Sequence, residues 1–216
     1  MIRPRLVVPA ALAAMWSHAL LAQAPDQTDN PVRVGDQWTY DRTNQIAGIL
    51  RDTYTSAVTE ITPQEIVTTM AVQGKENAAV VVAFDHDWNA VSSGPWRYKP
   101  HDGPGIRLPL EVGKEWRSEY YEVNVLTNAR FKVSSVTKVS GRESVTTPAG
   151  SFETFKIERQ ARAFNIAAPS VATETQVVLW YAPEINHWVR RAILTKIEKR
   201  TRDSTSEELT AFSRKQ

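Results

Sequence analysis

Two runs decide the fold: Thr147-Pro148-Ala149-Gly150-Ser151-Phe152-Glu153-Thr154-Phe155-Lys156-Ile157, and Leu179-Trp180-Tyr181-Ala182-Pro183-Glu184-Ile185-Asn186-His187-Trp188-Val189-Arg190-Arg191-Ala192-Ile193. Each couples a turn to a strand. In the first, Pro148 presets φ and Gly150 tolerates positive φ. Phe155, Ile157, Ala161 and Ala163 then alternate with Lys156, Glu158, Gln160 and Arg162, the period of a strand wetted on one face. In the second, Val177 to Tyr181 is continuously apolar and reads as a central strand covered on both sides. Pro183 lacks an amide donor and Asn186 accepts left-handed geometry, so the chain reverses between them. It returns through Val189, Ile193 and Ile197, with Arg191 and Thr195 on the same face. The result is a hairpin.

Upstream, Val34-Gly35-Asp36-Gln37-Trp38 recurs as Val112-Gly113-Lys114-Glu115-Trp116, an offset of 112 − 34 = 78 residues. Carried forward without a gap, the offset also matches Ser56, Val58 and Thr59 to Ser134, Val136 and Thr137. Glu65, Val67, Thr68, Thr69 and Ala71 fall on Glu143, Val145, Thr146, Thr147 and Ala149. This predicts an internal duplication, with halves over 34–94 and 112–199. Val80 to Asn89, an apolar strand turning near an Asn, parallels Val177 to Asn186. Between the halves, 95–111 holds Pro95, Pro100, Gly103, Pro104, Gly105 and Pro109, which forbid a long regular element. Such a connector can lie over an open edge or a cavity mouth. The best candidate for helical geometry is a short turn near Ala167 to Ala172. The expectation is one all-β domain over 34–216, an antiparallel meander curved into an open half-barrel and built from two like halves.

At the N-terminus, Arg3 and Arg5 precede an apolar run from Leu6 to Leu21 that ends in Ala22-Gln23-Ala24. This is the pattern of a secretory signal cleaved after Ala24, and it places the protein in the periplasm with no membrane span after cleavage. Residues 25–33 read as a polar, disordered lead. The chain has 26 basic and 24 acidic side chains, and two of the basic ones lie in the signal. The mature chain is therefore balanced, with no electrostatic case for nucleic acid. There is no cysteine, which excludes thiolate chemistry, disulfides and lipidation at a cysteine.

Candidate chemistry is sparse, and no catalytic residues are assigned. In Asp85-His86-Asp87, strand geometry would send His86 away from the two acids, so a hairpin turn is expected there and no metal site. His101 and His187 have no partner at a known catalytic spacing and read as surface or half-buried imidazoles. Glu119, Glu122, Glu153 and Glu158 read as residues of wetted strands. Lys196, Lys199, Arg200 and Arg202 read as a wetted strand or a charged sheet edge that discourages edge pairing. Trp38 and Trp116 share a repeated position and are expected to anchor the core, each indole N–H bonded to a carbonyl. Trp88, Trp96, Trp188 and Tyr121 lie near turns or the connector and are the candidate ligand contacts.

The pattern Thr-Pro-Ala-Gly-x-Phe, a strand, Trp-Tyr-Ala-Pro and a basic return strand resembles a family of exported bacterial β-rich proteins of unknown function. Their fold is similar to the open half-barrels of the lipoprotein carriers LolA and LolB. The resemblance covers most of 34–212 and implies that Glu208, Leu209 and Phe212 belong to the closing strand. The functional expectation is a periplasmic, non-enzymatic protein that needs no cofactor and binds a lipid or other apolar ligand, or an envelope protein, in an open β cavity. A two-carboxylate hydrolase of an envelope polymer and a structural module of an envelope complex are the alternatives.

Overall fold

Period-two alternation of buried and exposed side chains runs through the computed structural model, which describes residues 31–101, 103 and 105–215. Twelve strands follow in order: β1 (Gln37–Asn44), β2 (Ile49–Ile61), β3 (Ile66–Val72), β4 (Val80–Phe84), β5 (Ala90–Ser93), β6 (Trp96–Lys99), β7 (Glu115–Asn124), β8 (Arg130–Thr147), β9 (Gly150–Asn165), β10 (Ala168–Ala182), β11 (His187–Ile197) and β12 (Arg200–Ser213). Every strand pairs antiparallel with its sequence neighbours, and β1 also pairs with β12, from Gln37↔Ser213 to Asn44↔Thr205. The sheet is therefore a closed barrel. This corrects the expected open half-barrel: β12, the anticipated closing strand, seals against β1 instead of ending at an edge. Lys199, Arg200 and Arg202 accordingly guard no edge; they sit at and beside the β11–β12 turn, where Glu198 and Lys199 have φ of 50° and 63°.

The signal region and the lead as far as residue 30 lie outside the described residues. Of the lead, Val32 packs against the core and the Arg33 amide donates to Asp36 Oδ2 at 3.0 Å. Ala168–Ala182 is strand from its first residue, so no helical turn forms near Ala167; a bulge between Ala168 and Ala172 absorbs the irregularity. Nor is Val177–Tyr181 covered by a second layer. Val177, Leu179 and Tyr181 face the lumen, whereas the outward Trp180 is shielded by Lys156 and Arg190, and its indole donates to Glu143.

The strands do not respect the expected bounds of the halves: β6 falls within the connector expected over 95–111, and β12 lies beyond residue 199. Gly35 (φ 94°) donates to Val58 O at 2.8 Å and Gly113 (φ 92°) to Val139 O at 2.9 Å, so the two opening turns are built alike. Val58 and Val139 differ by 139 − 58 = 81 residues, not 78, because the β7–β8 hairpin is longer. The gapless register fails beyond β1: Val67, Thr68, Thr69 and Ala71 lie in β3, whereas their partners Val145–Thr147 end β8 and Ala149 lies in the turn after it. Strands β4, β5 and β6 are short, with 5, 4 and 4 residues against 15, 11 and 14 in β10, β11 and β12. Beside these short strands the connector turns inward and buries Ile106 and Leu110 in the core. Ile106 N donates to Asp87 O at 2.9 Å and Gly105 N to Asn89 Oδ1 at 2.8 Å.

The barrel has two unlike ends. Because the strands run up and down, the turns at 62–65, 85–89, 148–149 and 183–186 and the connector share one end, filled by Trp38, Trp116, Val145, Phe155 and Ile185. The tips at 45–48, 73–79, 94–95, 125–129, 166–167 and 198–199 share the other. Hydrogen bonds from Val125 N to Pro95 O and from Ile166 N to Arg130 O tie neighbouring tips together.

Candidate functional site

Inward-facing residues of the strands leave a lumen above the packed end. Three adjoining lobes of about 290, 260 and 230 Å³ occupy it. The first two share Phe84, Ala90, Tyr98, Trp188 and Arg191; the first and third share Tyr120, Glu122, Arg159 and Thr175. Taken together the lobes lie within the range of about 300–1,000 Å³ common for small-molecule pockets. A further hollow of about 420 Å³ lies on the outer wall, where Arg162 and Glu174 pair at 3.6 Å.

Trp88 and Trp188 form the lumen floor. Trp88 sits at φ 58° in the turn after β4, which aims its ring inward, and its Nε1 donates to Asn186 Oδ1 at 3.1 Å. Asn186 itself has φ 48°, the left-handed reversal its position predicts. Beneath this floor His187 stacks on Trp38 at 4.1 Å between centroids and packs on Trp188 at 3.7 Å. His187 is thus fully buried, not a surface or half-buried imidazole. The Tyr40 hydroxyl donates to Trp188 O at 2.7 Å and so accepts from His187 Nδ1–H at 2.5 Å. Burial pushes the His187 pKa well below the ordinary imidazole value. The Nε1 atoms of Trp38, Trp116 and Trp188 find no acceptor among the described residues. The carbonyl bond expected for Trp38 and Trp116 is not formed; both rings are held by core packing alone.

Five charged residues line the lumen: Arg42, whose guanidinium is paired with Asp52 at 2.8 Å, and Glu122, Arg159, Arg191 and Glu207. Arg191 donates from Nε to Glu207 Oε2 at 2.8 Å and lies 4.8 Å from the Trp188 ring centroid; Glu207 is 3% exposed and also bonded by Tyr54. Arg159 stands 3.5 Å from the Tyr120 hydroxyl, beside Glu122. Burial raises the Glu122 pKa, against the opposing pull of Arg159 and Tyr120, and the Tyr98 phenol is pushed up to about 12, mainly by burial and secondarily by Glu122. Strand reading missed these groups, yet a signal was present. Arg159 falls on the Phe155–Ile157–Ala161 face, Arg191 on the Val189–Ile193 face, and Glu207 on the Thr205–Leu209 face. A charge on the apolar face of an alternating strand marks the interior of a barrel.

Of the four candidate contacts, Trp88 and Trp188 meet in the floor at 6.1 Å between centroids, and Trp96 lines the third lobe. Tyr121 does not join them: it is 43% exposed on the outer wall, and its neighbour Tyr120 takes the inward position. Asp85 Oδ1 accepts from the amides of Asp87 and Asn89, which makes that cluster a hairpin turn. His101, Glu119, Glu153 and Glu158 are exposed. Among the described residues no group of three or more His, Cys, Asp or Glu converges as a metal site.

A family model described as DUF3108-like matches residues 118–193, from β7 into β11. No curated protein matches the chain. Solved structures share the fold. One is a lipoprotein candidate from Parabacteroides distasonis, 12% identical, with TM-score 0.54 over 85% of this chain and 97% of that one. Another is an exported-protein candidate with a YmcC-like fold from Bacteroides fragilis, 18% identical, with TM-score 0.52 over 86% and 98%. A third is the hypothetical lipoprotein YmcC of Escherichia coli, 8% identical, with TM-score 0.50 over 84% and 86%. LolA and LolB are not among these three.

Proposed function

We propose that this protein is a non-enzymatic binding protein of the bacterial periplasm that takes an apolar ligand, such as an acyl chain, into the lumen of its barrel. The observation that carries this reading is the lumen itself, walled by Phe84, Val177, Leu179, Trp188 and Ile193 and not filled by side chains. Closed barrels with a residual lumen hold small ligands by burying them against such walls. The charges support binding over hydrolysis. Glu122 and Glu207 each face an arginine and a tyrosine, not each other across a cleft as a two-carboxylate mechanism requires. The signal pattern and the exported neighbours support the compartment.

The test is native mass spectrometry of the mature protein purified from its own periplasm, followed by identification of whatever is extracted. A copurifying acyl lipid is expected. The variant Val177→Trp, which places an indole in the largest lobe, is expected to lose it while keeping the wild-type circular dichroism. A bare mass that does not change after incubation with envelope lipids overturns the reading and directs attention to a protein partner.

A further inference from the structure

Seven of the eleven large apolar side chains exposed among the described residues lie at one end of the barrel, although hairpin tips are ordinarily polar. They are Ile46, Ile49 and Leu50 at the β1–β2 tip, Val125 and Leu126 at the β7–β8 tip, and Ile166 and Val171 at the β9–β10 tip, with Leu126 81% exposed. Basic residues surround them. Arg51 is engaged by Asp203 at 3.8 Å; the remaining tip charges are Lys75, Arg130, Lys196, Lys199, Arg200 and Arg202 against Glu76 and Glu198. Six cations against two anions leave an excess of four in a chain whose overall charge is near balance. The outer wall below is polar, with Lys132, Lys138, Arg142, Glu158 and Arg162 facing out, the reverse of the apolar-out pattern of a membrane-spanning barrel. Exposed large apolar side chains are thus concentrated at the rim, with Val34, Val112 and Tyr121 lying elsewhere.

We infer that this rim docks on the surface of an anionic lipid membrane. Apolar side chains on several tips, raised on a rigid barrel, are placed to enter the headgroup region together, and the basic excess around them complements anionic headgroups. The lumen lobe lined by Trp96, Phe131, Ala163 and Thr173 lies just beneath these tips, whereas the opposite end is plugged by core and connector. A docked barrel would therefore turn its accessible end toward the lipid. This surface stands on its own side chains and does not require the lumen to bind anything.

The test is flotation of the mature protein with vesicles of phosphatidylcholine alone and of phosphatidylcholine mixed with phosphatidylglycerol. Binding to the mixed vesicles is expected to be at least about tenfold tighter and to disappear at high salt. The variants I46D/L126D and K199E/R200E are each expected to weaken it by about tenfold or more, with the wild-type circular dichroism retained because these side chains support no core. Absence of flotation with both vesicles, equal binding to both, or unchanged binding by the variants overturns the inference. So does self-association that I46D/L126D abolishes in a protein that does not float, since that assigns the rim to a second copy. Vesicle binding by a protein with no copurified lipid overturns the lumen reading and leaves this one standing; lipid capture without flotation does the opposite.

Discussion

His187 is held on three sides, wedged between Trp38 and Trp188 and tied to Tyr40. Its pKa is held below the unfolded value of about 6.5. The unfolded chain therefore binds the proton more readily, and stability falls as pH drops below about 6.5, by up to about 1.4 kcal/mol per pH unit until the folded pKa is reached. Calorimetry between about pH 7.5 and 5.5 should show this loss in the wild type and a flatter profile in His187→Phe. Glu122, whose pKa is raised by burial, acts with the opposite sign, so the comparison of the two proteins isolates the imidazole. At this scale the sequence was legible where side chains followed the strand period: Trp38 and Trp116 are buried as anchors, and Asn186 takes the left-handed turn. It misled where period two is ambiguous by one residue: Tyr121, the expected contact, faces out, and Tyr120 beside it faces in.

Among the elements the connector departs most from what its composition implies. Its breakers prevent regular structure, and that irregular backbone is what lets it enter the barrel. Gly103 lies flat against the Tyr120 ring, and a Cβ on Gly105 would stand 2.3 Å from Asn89 N and 2.5 Å from the Trp88 carbonyl carbon. Gly105→Ala should therefore expel the segment, seen as rapid proteolysis near 100–110. Ile106→Ala, which leaves the backbone in place, should cost about 2–5 kcal/mol in urea unfolding. Gly141→Ala, whose Cβ would meet nothing within 4 Å, should stay within about 0.5 kcal/mol of wild type. The repeated Val-Gly-x-x-Trp was legible because the same turn, with a glycine at positive φ, opens β1 and β7. Beyond it, the three residues added between Trp116 and Val139 dissolve the register, and the remaining identities reflect strand composition.

At the scale of the molecule, the one decision hidden from the sequence was closure. A strand that ends a sheet and one that seals a barrel have the same alternation; the difference lies in backbone hydrogen bonds between Gln37–Asn44 and Thr205–Ser213, which leave no side-chain signature. With closure went the lumen, and with the lumen the inward roles of Arg159, Arg191 and Glu207. A chain ending at Lys199 retains eleven strands and most of the core but exposes the flanks of β1 and β11, and it should aggregate on expression more than the chain that includes β12. The seam also sets an order of events during synthesis. Residue 37 leaves the ribosome long before its partner at 213 exists, so the wall stays unsealed until β12 has been made. The barrel is thus held back from its final shape by its own topology until its twelfth strand is available.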